Sequence, residues 1–183
     1  MAAILASLGG QTLRCILGKT TFIIFPASAG KNIPDDTVVL LAHPEEEPAQ
    51  GVISWPGEYD FSGVLVRGLG HEDGRQVSYV VVSEGTRLAF LSAPLHKLAD
   101  YELAQIGDID VLAIPCDDTK LVQELIDAID PRVLIPLATK DEKTFQEVLK
   151  VCGAAGKETV EEYKLKGSLP AEGREVVLLK AAK

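Results

Sequence analysis

The spacing of apolar residues changes about halfway along this 183-residue chain, and that change fixes the order in which its layers can be built. Up to residue 91 the apolar residues come in short runs, at 3–8, 13–17, 20–25, 37–42, 51–55, 63–69, 76–82 and 87–91. Gly-Gly and Gly-Lys turns separate the early runs, and Gly57, Gly63, Gly74 and Gly85 punctuate the later ones. Runs of this length bounded by glycine are strands joined by tight turns. The run at 37–42 is aliphatic without alternation, which fits a strand covered on both faces.

After residue 97 helical spacing appears between the strands. Residues 98–106 predict one helix. Leu121, Val122, Leu125, Ile126 and Ile129 predict a second, stopped by Asp130-Pro131 and led by Asp117-Asp118, where acids suit the helix dipole. Phe145, Val148, Leu149 and Cys152 predict a third, closed by Gly153. Buried strands at 110–114 and 133–135 end at Pro115 and Pro136, and a last strand pair, 160–166 and 175–179, brackets Pro170. Strands first and β-α-β units second predict an α+β layered sandwich with helices outside, as one domain over residues 1–183.

Composition removes several functional classes. A net charge of −9 argues against a broad nucleic-acid or anionic-membrane footprint. Aromatic residues are 5% of the chain, too few for a base-stacking platform. No run approaches the roughly 20 apolar residues of a membrane span. Residues 1–10 are apolar without a positive start, so they read as a strand rather than a signal peptide. Cys15, Cys116 and Cys152 show no metal-type pairing and read as reduced thiols of a cytoplasmic protein.

The three histidines, His43, His71 and His96, have no spacing in sequence that would let them share a metal. His43 follows an apolar run and precedes Pro44 and the acidic Glu45-Glu46-Glu47, which reads as a solvated loop. His71 lies in a Gly-rich acidic turn, and His96 is expected at a helix start in contact with solvent. Gly-x-Ser-x-Gly is absent, and no Gly-Lys pair has the spacing of a phosphate loop.

Several segments, in order, carry a resemblance. They are Trp55-Pro56-Gly57-Glu58-Tyr59-Asp60 followed by Gly63-Val64; Leu95-His96-Lys97-Leu98; 107–115; 130–136; and Leu169-Pro170-Ala171-Glu172. Together they resemble the small zinc-dependent hydrolases of the metallo-β-lactamase superfamily. The resemblance implies an αββα sandwich, two mixed β-sheets with helices on the outer faces. It also marks where metal ligands would stand. His43 matches the first histidine of the His-x-His-x-Asp-His turn, but Glu45, Glu47 and Pro48 replace the others. His71 matches a further histidine of the first metal site. Ser92-Ala93 replaces a Gly-Asp whose aspartate bridges the metals, and Ala138 replaces another histidine. Phe25-Pro26 and Leu8-Gly9-Gly10 depart from the pattern as well.

Catalytic zinc takes about three protein ligands and an open position, and a second metal needs a bridging group. Alanine at 93 and 138 offers neither lone pair nor charge. The resemblance therefore implies a vestigial metal pocket at His43, Glu45, Glu47, His71, Ala93 and Ala138, with no catalytic residue, metal or cofactor. The expected role is a non-enzymatic binding or assembly module. It is expected to be a homo-oligomer with an unknown ligand or protein partner, and to bind neither nucleic acid nor membrane. Two alternatives stand beside it. One is a mononuclear metal-dependent hydrolase using His43, Glu45 and His71 with one weakly bound zinc. The other is a protein that binds a small anion or metabolite.

Overall fold

The structure is a computed structural model that describes residues 3–30, 33–165, 169–170 and 172–181. Lys166, at the end of one expected strand, and Ala171 of the closing motif lie outside the described residues. The chain begins with β1 (Ala3–Gly9), β2 (Thr12–Leu17) and β3 (Thr20–Ile24), paired antiparallel. β4 (Thr37–Leu40) and β5 (Val52–Ile53) continue that sheet in parallel. β6 (Gly57–Phe61), β7 (Val64–His71), β8 (Gln76–Ser83) and β9 (Thr86–Phe90) form an antiparallel meander in a second sheet. After α1 (Asp100–Ile106) the second sheet grows by parallel strands β10 (Val111–Pro115) and β11 (Val133–Leu137), with α2 (Thr119–Ile129) between them. α3 (Glu142–Val151) follows, then the short strands β12 (Thr159–Val160), β13 (Glu162–Leu165), β14 (Glu175–Val176) and β15 (Leu178–Leu179).

Two differences from the sequence reading have physical causes. The last two strand segments do not form a pair around Pro170. β13 runs antiparallel along β1 in the first sheet, and β14 runs parallel along β11 in the second. β12 and β15 pair with each other. Short runs cannot announce their partners, and here they cover edges that would otherwise expose unpaired backbone groups. Residues 57–61 lie between the strands expected at 51–55 and 63–69, yet they pair in full register with β7. Pairing there overrides a weak local preference.

The faces of each strand explain the layers. Leu5, Leu13, Phe22 and Leu40 of the first sheet meet Val66, Tyr79, Phe90, Ala113 and Ile135 of the second. The alternate residues Val80, Ala89, Leu112 and Leu134 lie on the other face, under Ile106, Val122, Ile126 and Leu149 of the helices. β8 to β11 are thus covered on both faces, which is why they read as continuous apolar runs. The three α-helices among the described residues all belong to this outer cluster. On the first sheet, Val39, Leu41 and Val52 gather instead with Ile23, Ala29 and Ile33 from the strand and loop beside them.

Polar and steric details then set one end of the sandwich. The buried Tyr79 hydroxyl lies 2.7 Å from the Leu41 carbonyl and 3.1 Å from that of Ile53, joining the two sheets. Two glycines of β7 let the chain before β6 lie against the sheet. A Cβ on Gly68 would stand 2.9 Å from the Trp55 carbonyl oxygen, and one on Gly70 would stand 2.7 Å from Pro56 Cγ. Side chains there would push that crossing away from the strand that ends in His71.

Candidate metal centre

His71 closes β7 and stands directly opposite Gln76 of β8. Between them Glu72 and Asp73 adopt φ of 51° and 59°, a left-handed region that costs a non-glycine residue about 1–2 kcal/mol. Gln76 is buried, and the two N–H groups of its Nε2 are shared among three acceptors: Ser92 Oγ at 2.9 Å, the Pro94 carbonyl at 3.0 Å and the Ser92 carbonyl at 3.1 Å. The Ser92 amide donates to Ser78 Oγ at 3.1 Å, and the two hydroxyls are also 3.1 Å apart. Ser92-Ala93 is therefore held by a neutral network. No carboxylate stands where the resemblance places the bridging group.

The other marked positions are arranged as follows. His43 is exposed, with Nδ1 3.1 Å from the Arg75 carbonyl. The next loop is pinned by its backbone: the Glu45 amide donates to Ser54 Oγ at 3.0 Å, and Trp55 Nε1 donates to the Glu45 carbonyl at 2.7 Å. Glu45 and Glu47 themselves are exposed. His43, His71 and Ala93 thus meet the same end of β8 through Arg75 and Gln76. Ala138 follows β11, two strands from β9, and strands are spaced by about 4.8 Å. It lines a separate groove of about 370 Å³ with Ser7, Gly10, Phe145 and Leu178. These residues do not fit a two-metal centre. Glu58 is likewise committed elsewhere, accepting from Arg67 Nη2 at 2.7 Å on the surface.

The structure brings together a set that the sequence does not announce. Among the described residues, the group of His, Cys, Asp and Glu close enough together that it could hold a metal ion is His71, His96 and Glu102. His43 and Glu45, offered with His71 as a mononuclear set, are not part of it. His96 does not begin a helix, because α1 starts at Asp100. The loop carrying it is fixed where the Leu95 amide donates to Asp117 Oδ2 at 3.0 Å. The His96 ring sits edge-on to that of His71, centroids 4.4 Å apart. Glu102 Oε1 is 2.7 Å from His71 Nδ1 and 3.7 Å from His96 Nε2. Its Oε2 accepts the Ala99 amide at 2.8 Å, half of a capping box, since Ala99 has no side-chain acceptor to return the bond. A glutamate three residues into a helix is visible in sequence; its reach to a histidine 31 positions away is not.

Charge states follow from these contacts. Burial pushes His71 below the ordinary imidazole value of 6.5, against the pull of its bond to Glu102. Burial alone would raise Glu102, but the Ala99 amide, the bond from His71 and the two imidazoles hold it below its ordinary 4.5. At neutral pH an ionised Glu102 therefore accepts the Nδ1–H of a neutral His71, whose lone pair lies on Nε2. That Nε2 and both ring nitrogens of His96 are buried without a hydrogen-bond partner. Native proteins leave few such atoms unsatisfied.

The profile described as "Beta-lactamase superfamily domain" matches residues 36–138, more than half of the chain. A comparison with curated proteins gives no match. Among solved structures, a candidate Zn-dependent hydrolase of the metallo-β-lactamase superfamily from Thermotoga maritima is 24% identical, with a TM-score of 0.78 over 98% of this chain and 100% of that one. Igni18, a metallo hydrolase from Ignicoccus hospitalis, is 13% identical, with a TM-score of 0.61 over 92% and 100% of the two chains. The metallo-β-lactamase fold protein YhfI from Bacillus subtilis is 8% identical, with a TM-score of 0.63 over 100% and 98%. These likenesses establish the two-sheet sandwich expected from the sequence. No helix among the described residues is long and apolar enough to cross a membrane.

Proposed function

The chain belongs to the beta-lactamase superfamily, and we propose that within it this protein is a non-hydrolytic binding or assembly module. The observation that carries this reading is the Gln76–Ser78–Ser92 network. Two-metal hydrolysis needs a bridging anion and an open coordination position. The Ala93 side chain has no donor atom, and its neighbour Ser92 is already engaged in neutral bonds. The Gln76 amide also turns the positive ends of its N–H dipoles toward Ser92 and Pro94, which disfavours a cation beside them. The His71–His96–Glu102 group does not restore this chemistry. Its unpartnered nitrogens are shielded from solvent, so no face is open to a substrate.

An assembly role draws support from large apolar side chains left at the surface. Leu65 of β7 is 54% exposed and Tyr101 of α1 is 66% exposed. The proposal extends to a cytoplasmic homo-oligomer with a ligand or protein partner of unknown identity. The test is a hydrolase screen on phosphodiester, lactam and lactone substrates, with and without added zinc, together with light scattering on the eluted protein. Background rates and a mass above one chain are expected. Zinc-dependent turnover that disappears in His71→Ala would sink the non-hydrolytic reading.

A further inference from the structure

We propose that His71, His96 and Glu102 form a closed site for one divalent cation of the zinc class. The site keeps His71 from the positions that the resemblance marks, takes His96 and Glu102 in place of the others, and joins the end of β7, the loop of residues 92–99 and the first turn of α1.

The first argument is unmet bonding. His71 is 2% exposed, yet its Nε2 has no partner, and both nitrogens of the partly buried His96 are also unpartnered. Of these atoms, His96 Nε2 faces Glu102 Oε1 at 3.7 Å and is the one that a cation between them would engage. Buried polar atoms of this kind call for an ion or another partner.

The second argument is distance. One ligand atom from each of the three residues lies within 4.8 Å of the other two. Around a tetrahedral zinc with bonds of about 2.0–2.1 Å, ligand atoms stand roughly 3.3 Å apart. Glu102 Oε1 lies 2.7 Å from His71 Nδ1 and 3.7 Å from His96 Nε2, which straddles that spacing. The two distances to Glu102 each lie about half an ångström from that spacing, and the two histidines' ligand atoms, within 4.8 Å of each other, would draw together around the ion. The cation would replace the proton shared between His71 Nδ1 and Glu102, and that proton would move to Nε2 of the same ring. His71 stays neutral and no charge is lost from the protein.

The third argument is donor type and support. Two imidazoles and one carboxylate favour zinc-class ions over calcium or magnesium, which prefer oxygen cages. The carboxylate is itself oriented by the Ala99 amide, and the His96 loop by Asp117 through Leu95. Such outer contacts are what hold metal ligands in place. The shielding of the nitrogens gives the ion a fastening role between three segments. It is independent of the non-hydrolytic reading.

The test uses the full chain, freed of metal by chelator, and titrates it with zinc chloride in a calorimeter and with cobalt chloride under visible absorption. The expected result is one zinc per chain, a raised melting temperature, and cobalt bands of a low-coordinate nitrogen and oxygen site. His96→Ala should weaken zinc binding by tenfold or more, His96→Cys should retain it through a thiolate donor, and His43→Ala should leave it unchanged. Circular dichroism confirms that each variant is folded; should His96→Ala fail to fold, Glu102→Gln carries the same expectation. Absence of stoichiometric binding, or binding lost in His43→Ala and kept in His96→Ala, overturns the site. Neither outcome touches the hydrolase screen, so the two proposals fail separately.

Discussion

His71 and Gln76 face each other across one rung of the β7–β8 ladder, yet their surroundings have opposite character. The Gln76 amide reaches three acceptors, and the serines beside it complete one another. On the His71 side three ring nitrogens are buried with no partner. Both regions sit where strands end and loops begin, so position in the fold does not separate them. The difference lies in what each does with its polar atoms. One side has closed its bonds internally and has no further need of a ligand. The other leaves buried ring nitrogens without a hydrogen-bond partner.

Substitution should expose that contrast. Gln76→Leu strands the Ser92 and Pro94 acceptors in the interior and should lower folding stability by about 2–3 kcal/mol. His96→Leu, measured in chelator, removes ring nitrogens without a hydrogen bond, whose charged neighbour is Glu102 Oε1 at 3.7 Å, and should change stability by less than about 1 kcal/mol. Denaturant midpoints for the two variants test the pair directly. Equal losses would mean that the imidazoles are as structurally committed as the amide.

A smaller effect comes from acid. Below about pH 6.5 the unfolded chain protonates this histidine while folded His71 resists, because its value is depressed by burial. Its contribution is therefore fully present above the ordinary value and is lost as pH falls toward the folded one. Glu102, also depressed, acts with the same sign at lower pH: its contribution is present above 4.5 and lost as pH falls through its folded value. Metal-free protein should lose stability between pH 7.5 and 5.5, at no more than about 1.4 kcal/mol per pH unit from His71. His71→Phe should flatten that stretch, as followed by urea unfolding. A slope unaltered in this variant would place the titration elsewhere.

The smallest signal concerns the thiols, the other soft donors of the chain. Burial pushes Cys15 and Cys116 up to about 12, and both are fully buried. Cys152 is only partly buried, although burial raises it too. Thiol titration of the folded protein should label Cys152 first and leave the other two until denaturant is added. Fast labelling of Cys116 would admit a thiolate as a competing metal ligand near the strand ends.

These regions also mark how far the sequence could be read. The layered fold was legible because β8 to β11 and α2 carry their burial in plain periodicity: Tyr79 faces one way, Val80 the other, and Val122, Leu125, Ile126 and Ile129 form one helical stripe. That the side chain at position 93 carries no donor was legible because alanine is visible in one letter. The His71–His96–Glu102 group was not. It depends on α1 beginning at Asp100, which leaves His96 in a loop free to fold back, and on Asp117 holding that loop. Nor could β13 and β14 be assigned to separate sheets, since their few residues fit either edge.

The most direct measurement is anomalous scattering at the zinc edge from crystals of the full chain grown with zinc chloride. One peak enclosed by His71, His96 and Glu102, with none beside His43, Ala93 or Ala138, is the predicted result. A pair of peaks about 3.5–4 Å apart near His43 and Ala93, or no peak between the two imidazoles, would contradict it.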